Sequence, residues 1–197
     1  MTPGPSAAAT DPWRLPLLVT KERPLQPLTY VPDDLVSIAG TRLVEAAARD
    51  LEAMLEAAAG DGSPVLVASG YRSYQEQEAL HAGFVATLGA GRAADLSAQP
   101  GHSEHQTGLA VDIADPSGEC ALMPCFAQTP AGAWAAANAW RYGFIVRYPA
   151  GAQAVTGYTY EPWHLRHVGI ATAAAMHRGP ADTLEAYVAD QEHPTAG

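Results

Sequence analysis

The sequence runs to 197 residues, 48% of them hydrophobic and 16% charged, with a formal net charge of −10. That length and apolar fraction suit one domain with a buried core and exclude a disordered polymer. The acidic balance argues against nucleic acid and anionic membranes as partners, since both require clustered Lys and Arg, and no window reaches the roughly 18 apolar residues of a membrane span.

Residues 1–12 are Pro, Gly, Ala, Ser and Thr for the most part and read as a disordered tail. A single domain is expected over 13–190, followed by a polar tail at 191–197. The proline-rich stretch 13–33 should run extended over the surface. Asp33 and Asp34 precede a short apolar turn ending near Gly40. Thr41 is placed to cap a long helix to about Ala59, with Leu43, Ala47, Leu51, Met54, Leu55 and Ala58 near one face. Asp61-Gly62-Ser63-Pro64 is a turn, and Val65–Ser69 is a short apolar run with the length of a buried strand.

Ser73 with Glu76 matches the Ser-x-x-Glu capping box and should open a helix to about Leu88. Residues 89–101 are small and polar and read as a loop. Leu109, Val111 and Ile113 then alternate with Ala110 and Asp112, the period of a strand. That alternation puts the three apolar side chains on one face and Asp112 on the other, where the neighbouring alanine leaves room for a metal. Thr129-Pro130 should open a helix through Trp134 and Trp140, ended by Gly143. Phe144–Tyr148 reads as a strand. Thr156–Tyr160 and Leu165–Val168 read as strands flanking Glu161-Pro162-Trp163-His164, and a last helix is expected over Ala181–Asp190.

Cys120 and Cys125 have four residues between them and read as a local disulfide; the alternative is two free thiols in a reducing compartment. The start of the chain lacks the basic and apolar regions of a signal peptide. Either the chain is cytosolic or its export signal has been removed.

Two clusters carry chemistry. In Ser103-Glu104-His105-Gln106-Thr107-Gly108-Leu109-Ala110-Val111-Asp112 a histidine and an aspartate stand seven residues apart; Glu161-Pro162-Trp163-His164 lies some fifty residues later. Together they offer two imidazoles, one ligand carboxylate and one spare carboxylate. Those are the parts of a zinc hydrolase: three protein ligands, an open position and a separate acid or base. His81, His102, His177 and His193 read as surface or satisfied core residues. A His102/His105 ligand pair would need a helix, which Pro100-Gly101 disfavours.

In order along the chain, Ser69-Gly70-Tyr71-Arg72-Ser73 with Gln77, Ser103-x-His105-x-x-Gly108-x-Ala110-x-Asp112, the stretch from Arg141-Tyr142-Gly143-Phe144 to Arg147-Tyr148-Pro149, and Glu161-Pro162-Trp163-His164 resemble the zinc D-alanyl-D-alanine carboxypeptidases of the vancomycin-resistance type and their L,D-carboxypeptidase relatives. The similarity covers about residues 17–188. It implies an α+β fold, Hedgehog/DD-peptidase-like, with a small, mostly antiparallel sheet, packed helices and the zinc site in a cleft on the sheet. It implies His105, Asp112 and His164 as zinc ligands, Glu161 as general base, and Arg72 as the cation facing substrate. Gln77 and Ser103 become substrate contacts. Tyr71 and Trp163 could line the pocket or pack in the core. The implied reaction releases the terminal D-Ala from peptidoglycan precursors or stem peptides. Rivals are an L,D-carboxypeptidase on tetrapeptide stems, a D,D-dipeptidase, a crosslink endopeptidase and a non-catalytic zinc module that binds cell wall. With the cysteine pair, the resemblance favours an extracytoplasmic protein. One departure is His167, where the family often carries an aromatic residue; a hydrogen bond to substrate or a supporting role beside the site are both open to it.

Overall fold

The computed structural model describes residues 16–193, so the expected tail at 1–12 and residues 194–197 lie outside the described residues. The fold is α+β, as the resemblance implied. A two-stranded hairpin, β1 (Leu35–Ile38) and β2 (Thr41–Val44), precedes α1 (Glu45–Gly60). Four further strands form one antiparallel sheet in the order β3-β4-β6-β5: β3 (Leu66–Ser69), β4 (Ala110–Ala114), β5 (Phe144–Tyr148) and β6 (Glu161–His167). Between them come α2 (Tyr74–Leu88), α3 (Ala90–Leu96), α4 (Pro130–Asn138) and α5 (Gln153–Thr156), and after β6 come α6 (Ile170–Arg178) and α7 (Leu184–Glu192).

Strand alternation in β4 works as read. Val111 and Ile113 enter the main core with Leu165, Phe144 and Phe126, beneath Leu51, Met54 and Ala58 of α1. Asp112 leaves on the opposite face, which is the floor of the cleft. The capping box also forms: Glu76 N–H donates to Ser73 Oγ (3.3 Å), and Ser73 N–H to Glu76 Oε2 (2.7 Å). Thr129 caps α4 through Gly132 N–H (3.1 Å), and a 3-10 turn over Ala139–Tyr142 carries the chain to Gly143.

Several boundaries differ from expectation. Thr41 is not a helix cap. It begins β2, because Ala39 and Gly40 both take positive φ (46° and 82°) and turn the chain back on β1 in a two-residue hairpin loop. The residues read as an apolar turn before Gly40 are therefore β1, and α1 starts at Glu45 without a side-chain cap. The expected loop 89–101 contains α3, which packs Ala93 inward. Thr156–Tyr160 is no strand: Thr156 ends the short α5 and Gly157 reverses the chain. The flanks expected around Glu161–His164 merge into one continuous strand, β6. The last helix is displaced to Leu184–Glu192, and α6 was not foreseen. Cys120 and Cys125 are joined as a disulfide.

The proline-rich arm is tied down by hydrogen bonds to the segment that carries His105. Gln106 Nε2 donates to the carbonyls of Leu28 (2.6 Å) and Tyr30 (3.0 Å), and Leu25 N–H donates to Gly101 O (2.8 Å).

Candidate metal centre

The centre is built where three strands meet. His105 lies in a 3-10 turn, Glu104–Thr107, ended by Gly108 in the left-handed region (φ 68°). A side chain at Gly108 would also press on Leu35 and Val44, so the turn requires glycine there. The turn leads into β4 and Asp112, whose backbone pairs with His164 of β6 on one side and Ser69 of β3 on the other. Two strand irregularities shape the site, one between β3 and β4 and one between β5 and β6. Between Val67 and Ser69, β3 advances two residues while β4 advances one; this extra residue brings the Ser69 hydroxyl onto Asp112 Oδ2 at 2.5 Å. Between Leu165 and Glu161, β6 spans four residues while β5 spans two. Three-residue spacing on a regular strand would send Glu161 and His164 to opposite faces. The bulge, which contains Pro162, brings both to the cleft.

His105, Asp112 and His164 are all buried, and one ligand atom from each lies within 4.8 Å of the others. The His105 and His164 rings stand edge to face with centroids 4.9 Å apart. His105 Nδ1 is 2.7 Å from the Gly70 carbonyl. A carbonyl only accepts, so Nδ1 carries the proton and the Nε2 lone pair points at Asp112 Oδ2, 3.3 Å away. Gly70 itself packs tightly against β2, since a Cβ there would lie 2.6 Å from Thr41 Oγ1. On the other side His164 Nδ1 is 3.1 Å from Asp112 Oδ1.

Burial pushes the His105 pKa down, against the pull of Asp112, and so favours a neutral ring. Burial opposes charge on His164 too, but the bond to Asp112, together with the nearby Glu104 and Glu161 carboxylates, overrides it and raises the pKa to about 9. Asp112 stays ionised well below the ordinary carboxylate range: the two imidazoles outweigh its burial. An imidazole lone pair facing a carboxylate in a dry site calls for a cation between them. Two nitrogens and one carboxylate oxygen are a donor set that suits zinc, so the residues present fit the ion.

Glu161 lines the same cleft, with Oε2 3.9 Å from His164 Nδ1. Burial, assisted by Asp112 and Glu104 and opposed by His164, raises its pKa to about 7. Arg72 reaches in from the loop between β3 and α2, with Nη2 4.0 Å from Asp112 Oδ2. Gln77 is buried and its amide is fully engaged: Oε1 accepts from Arg72 Nη1 (2.9 Å), while Nε2 donates to Ser97 Oγ (3.1 Å) and Ala98 O (2.7 Å).

The cleft has a volume of about 640 Å³, within the range of small-molecule sites. Ser103 and Trp163 line it, and Trp163 also packs on the core. Tyr71 does not line it. Its ring lies 4.9 Å below the Arg42 guanidinium, beside a separate shallow depression. His167 does not line the cleft either: Nε2 is 2.8 Å from Asp50 Oδ2 of α1. Tyr148, Tyr158 and Tyr160 form a wall that sequence reasoning missed, with Leu80, Leu96 and Leu122 on the apolar side. Ser69 and Glu104 were also unassigned. Both sit inside the motifs quoted above, but nothing in their spacing says what they touch.

The VanY family profile, described as D-alanyl-D-alanine carboxypeptidase, matches residues 40–170. YodJ of Bacillus subtilis (strain 168) is 39% identical over 187 residues, covering 90% of this chain and 68% of that protein. A D-alanyl-D-alanine carboxypeptidase of Enterococcus faecium is 36% identical over 132 residues, 67% of this chain and 39% of that protein. Among solved structures, the L,D-carboxypeptidase LdcB superposes with a TM-score of 0.80 at 39% identity, covering 90% of this chain and 87% of the other. A zinc complex of a vancomycin-resistance D,D-pentapeptidase, VanY of a VanB-type cassette, gives 0.76 at 32% identity, covering 89% and 99%.

Proposed function

This chain belongs to the VanY family of D-alanyl-D-alanine carboxypeptidases, and we propose that it removes the terminal D-Ala from peptidoglycan precursors or stem peptides with zinc held by His105, Asp112 and His164. The observation that carries this reading is the convergence of those three buried groups with Glu161 and Arg72 in one cleft. Zinc held there would supply Lewis acidity, polarising a carbonyl and acidifying water.

The protein's own groups do the rest. The Ser69 hydroxyl orients Asp112, and the Gly70 carbonyl orients His105. Glu161, with a pKa near neutrality before any metal binds, accepts a proton as water oxygen bonds to the scissile carbonyl carbon. The same carboxyl then returns that proton to the amine nitrogen as the C–N bond breaks, so the products are D-alanine and a shortened peptide. Arg72, held by Gln77, is the fixed cation for a substrate carboxylate or the developing oxyanion. Gln77 thereby acts through Arg72 rather than as a direct contact. Ser103 and Trp163 supply the walls beside the reacting bond. Such a substrate lies in the cell envelope, so the protein is proposed to act outside the cytoplasm; among the described residues no helix is long and apolar enough to cross a membrane.

The similarity to LdcB supports a second reading, hydrolysis of the tetrapeptide stem. Product analysis on a muramyl pentapeptide ending in D-Ala-D-Ala and on the matching tetrapeptide, with and without chelator, separates them. Chelator-sensitive loss of one alanine from the pentapeptide is expected. Release from the tetrapeptide alone would move the assignment to L,D-carboxypeptidase, and release from neither would reject both.

A further inference from the structure

Glu104 neighbours His105 in the 3-10 turn and is only 2% exposed. Its Oε1 accepts two charge-assisted hydrogen bonds, from Arg147 Nε (2.8 Å) and Arg166 Nη1 (2.7 Å). Both arginines are themselves pinned. Arg147 forks onto Glu185 of α7 at 2.9 and 2.7 Å, and Arg166 donates to the carbonyls of Leu17 (2.6 Å) and His167 (3.1 Å). The carboxylate therefore cannot rotate freely.

Its second oxygen, Oε2, is buried and has no hydrogen-bond partner among the described residues. His164 Nε2 is buried and unpartnered in the same sense. These two atoms face each other at 3.6 Å, just beyond hydrogen-bond range. Buried unsatisfied polar atoms are uncommon, and each calls for an explanation. A donor and an acceptor left over side by side suggest one shared bond that closes when the site is complete.

We propose that Glu104 is a positioning residue for the metal centre: its Oε2 accepts the Nε2–H of His164, which keeps the Nδ1 lone pair of His164 directed at the cation. The logic parallels His105, whose Nδ1–H is held by the Gly70 carbonyl so that Nε2 faces the site. Metal-bound histidines generally donate their other ring N–H to such an acceptor, and losing it weakens binding by about 10- to 100-fold. The arginines hold Oε1, which leaves Oε2 as the oxygen directed at His164. This inference rests on His164 being a ligand.

Glu104→Gln tests it. With its oxygen retained on the arginines, the amide would turn an N–H₂ group toward His164 and favour a proton on Nδ1, where the metal must bind. Zinc affinity of the full chain would be measured by competition with a chromogenic chelator, alongside the imidazole 1H–15N spectrum of histidine-labelled protein. Expected are a 10- to 100-fold weaker zinc affinity in Glu104→Gln and a downfield, slowly exchanging His164 Nε2–H in zinc-loaded wild type that this variant lacks. Glu185→Gln, which loosens the same network at its far end, should lower thermal stability yet leave zinc affinity unchanged. Wild-type affinity in folded Glu104→Gln would overturn the proposal. Should that variant not fold, a solvent-exchanging Nε2–H in wild type would overturn it instead. Failure of wild type to bind zinc would remove the metal reading itself, a result distinct from equal affinity in the two proteins.

Discussion

Glu161 and Arg72 differ in how they face the reaction, and their substitutions should differ accordingly. Glu161 is near the ligand atoms without being one of them: its Oε2 stands 3.9 Å from His164 Nδ1. Glu161→Gln should therefore keep zinc stoichiometry while kcat falls by about 10²- to 10⁴-fold, the usual contribution of a positioned acid or base. Metal analysis beside steady-state kinetics checks this; near-normal turnover with zinc bound would remove Glu161 as the base. Arg72 is a fixed fork held by Gln77. Arg72→Lys keeps the charge and loses the geometry, so kcat/KM should drop about 10- to 100-fold, the magnitude of one charge-assisted hydrogen bond. Unchanged kcat/KM would place the guanidinium outside the reaction.

At the level of elements, the site depends on how β6 is braced. His167 at its end bonds Asp50 of α1, so helix and strand are joined by a buried pair. Burial works against the Asp50 charge, but the hydrogen bond from His167, with help from Arg49, holds the pKa below its usual value. For a carboxylate with a depressed folded pKa, the linked stability is fully present above the unfolded value, about 3.9, and is lost as pH falls through the folded value. Asp50→Asn should thus cost about 1–3 kcal/mol at pH 7, and its deficit should shrink progressively below about pH 4. Urea titrations of both proteins at pH 7 and pH 3 would show it; a constant deficit would mean that the Asp50 charge contributes nothing. The pair gives His167 a bracing role: its ring meets Phe144 edge-on at 5.0 Å, while Nε2 serves the helix.

Across the whole molecule, the cleft floor is a set of buried polar groups on the sheet face opposite the main apolar core. A cation that binds the native site but not the unfolded chain stabilises it by mass action. Free zinc at 100 times its Kd should add about 2.7 kcal/mol, which raises Tm by about 5–10 °C for a domain of this size. Calorimetry with zinc and then excess chelator measures this directly, and an unchanged Tm would argue against a site that assembles only in the folded protein.

Local signals in the chain were sufficient for the parts whose physics is local. The alternation Leu109-Val111-Ile113 puts Asp112 on the polar face whatever lies across the sheet, and Ser73 with Glu76 caps α2 from within four residues. The metal triad was legible because residue type and spacing restrict the chemistry, and the resemblance restricted it further. What stayed hidden depends on partners far along the chain. The bulge that brings Glu161 and His164 to one face exists only in the β5–β6 register. Thr41 is a strand residue because β1 pairs with it, which overrides its capping propensity. Tyr71 faces Arg42, His167 faces Asp50 and Glu104 faces His164, each across dozens of residues. A sequence states which donors and acceptors exist. Burial and sheet register decide which of them meet, because only close packing removes water as the alternative partner.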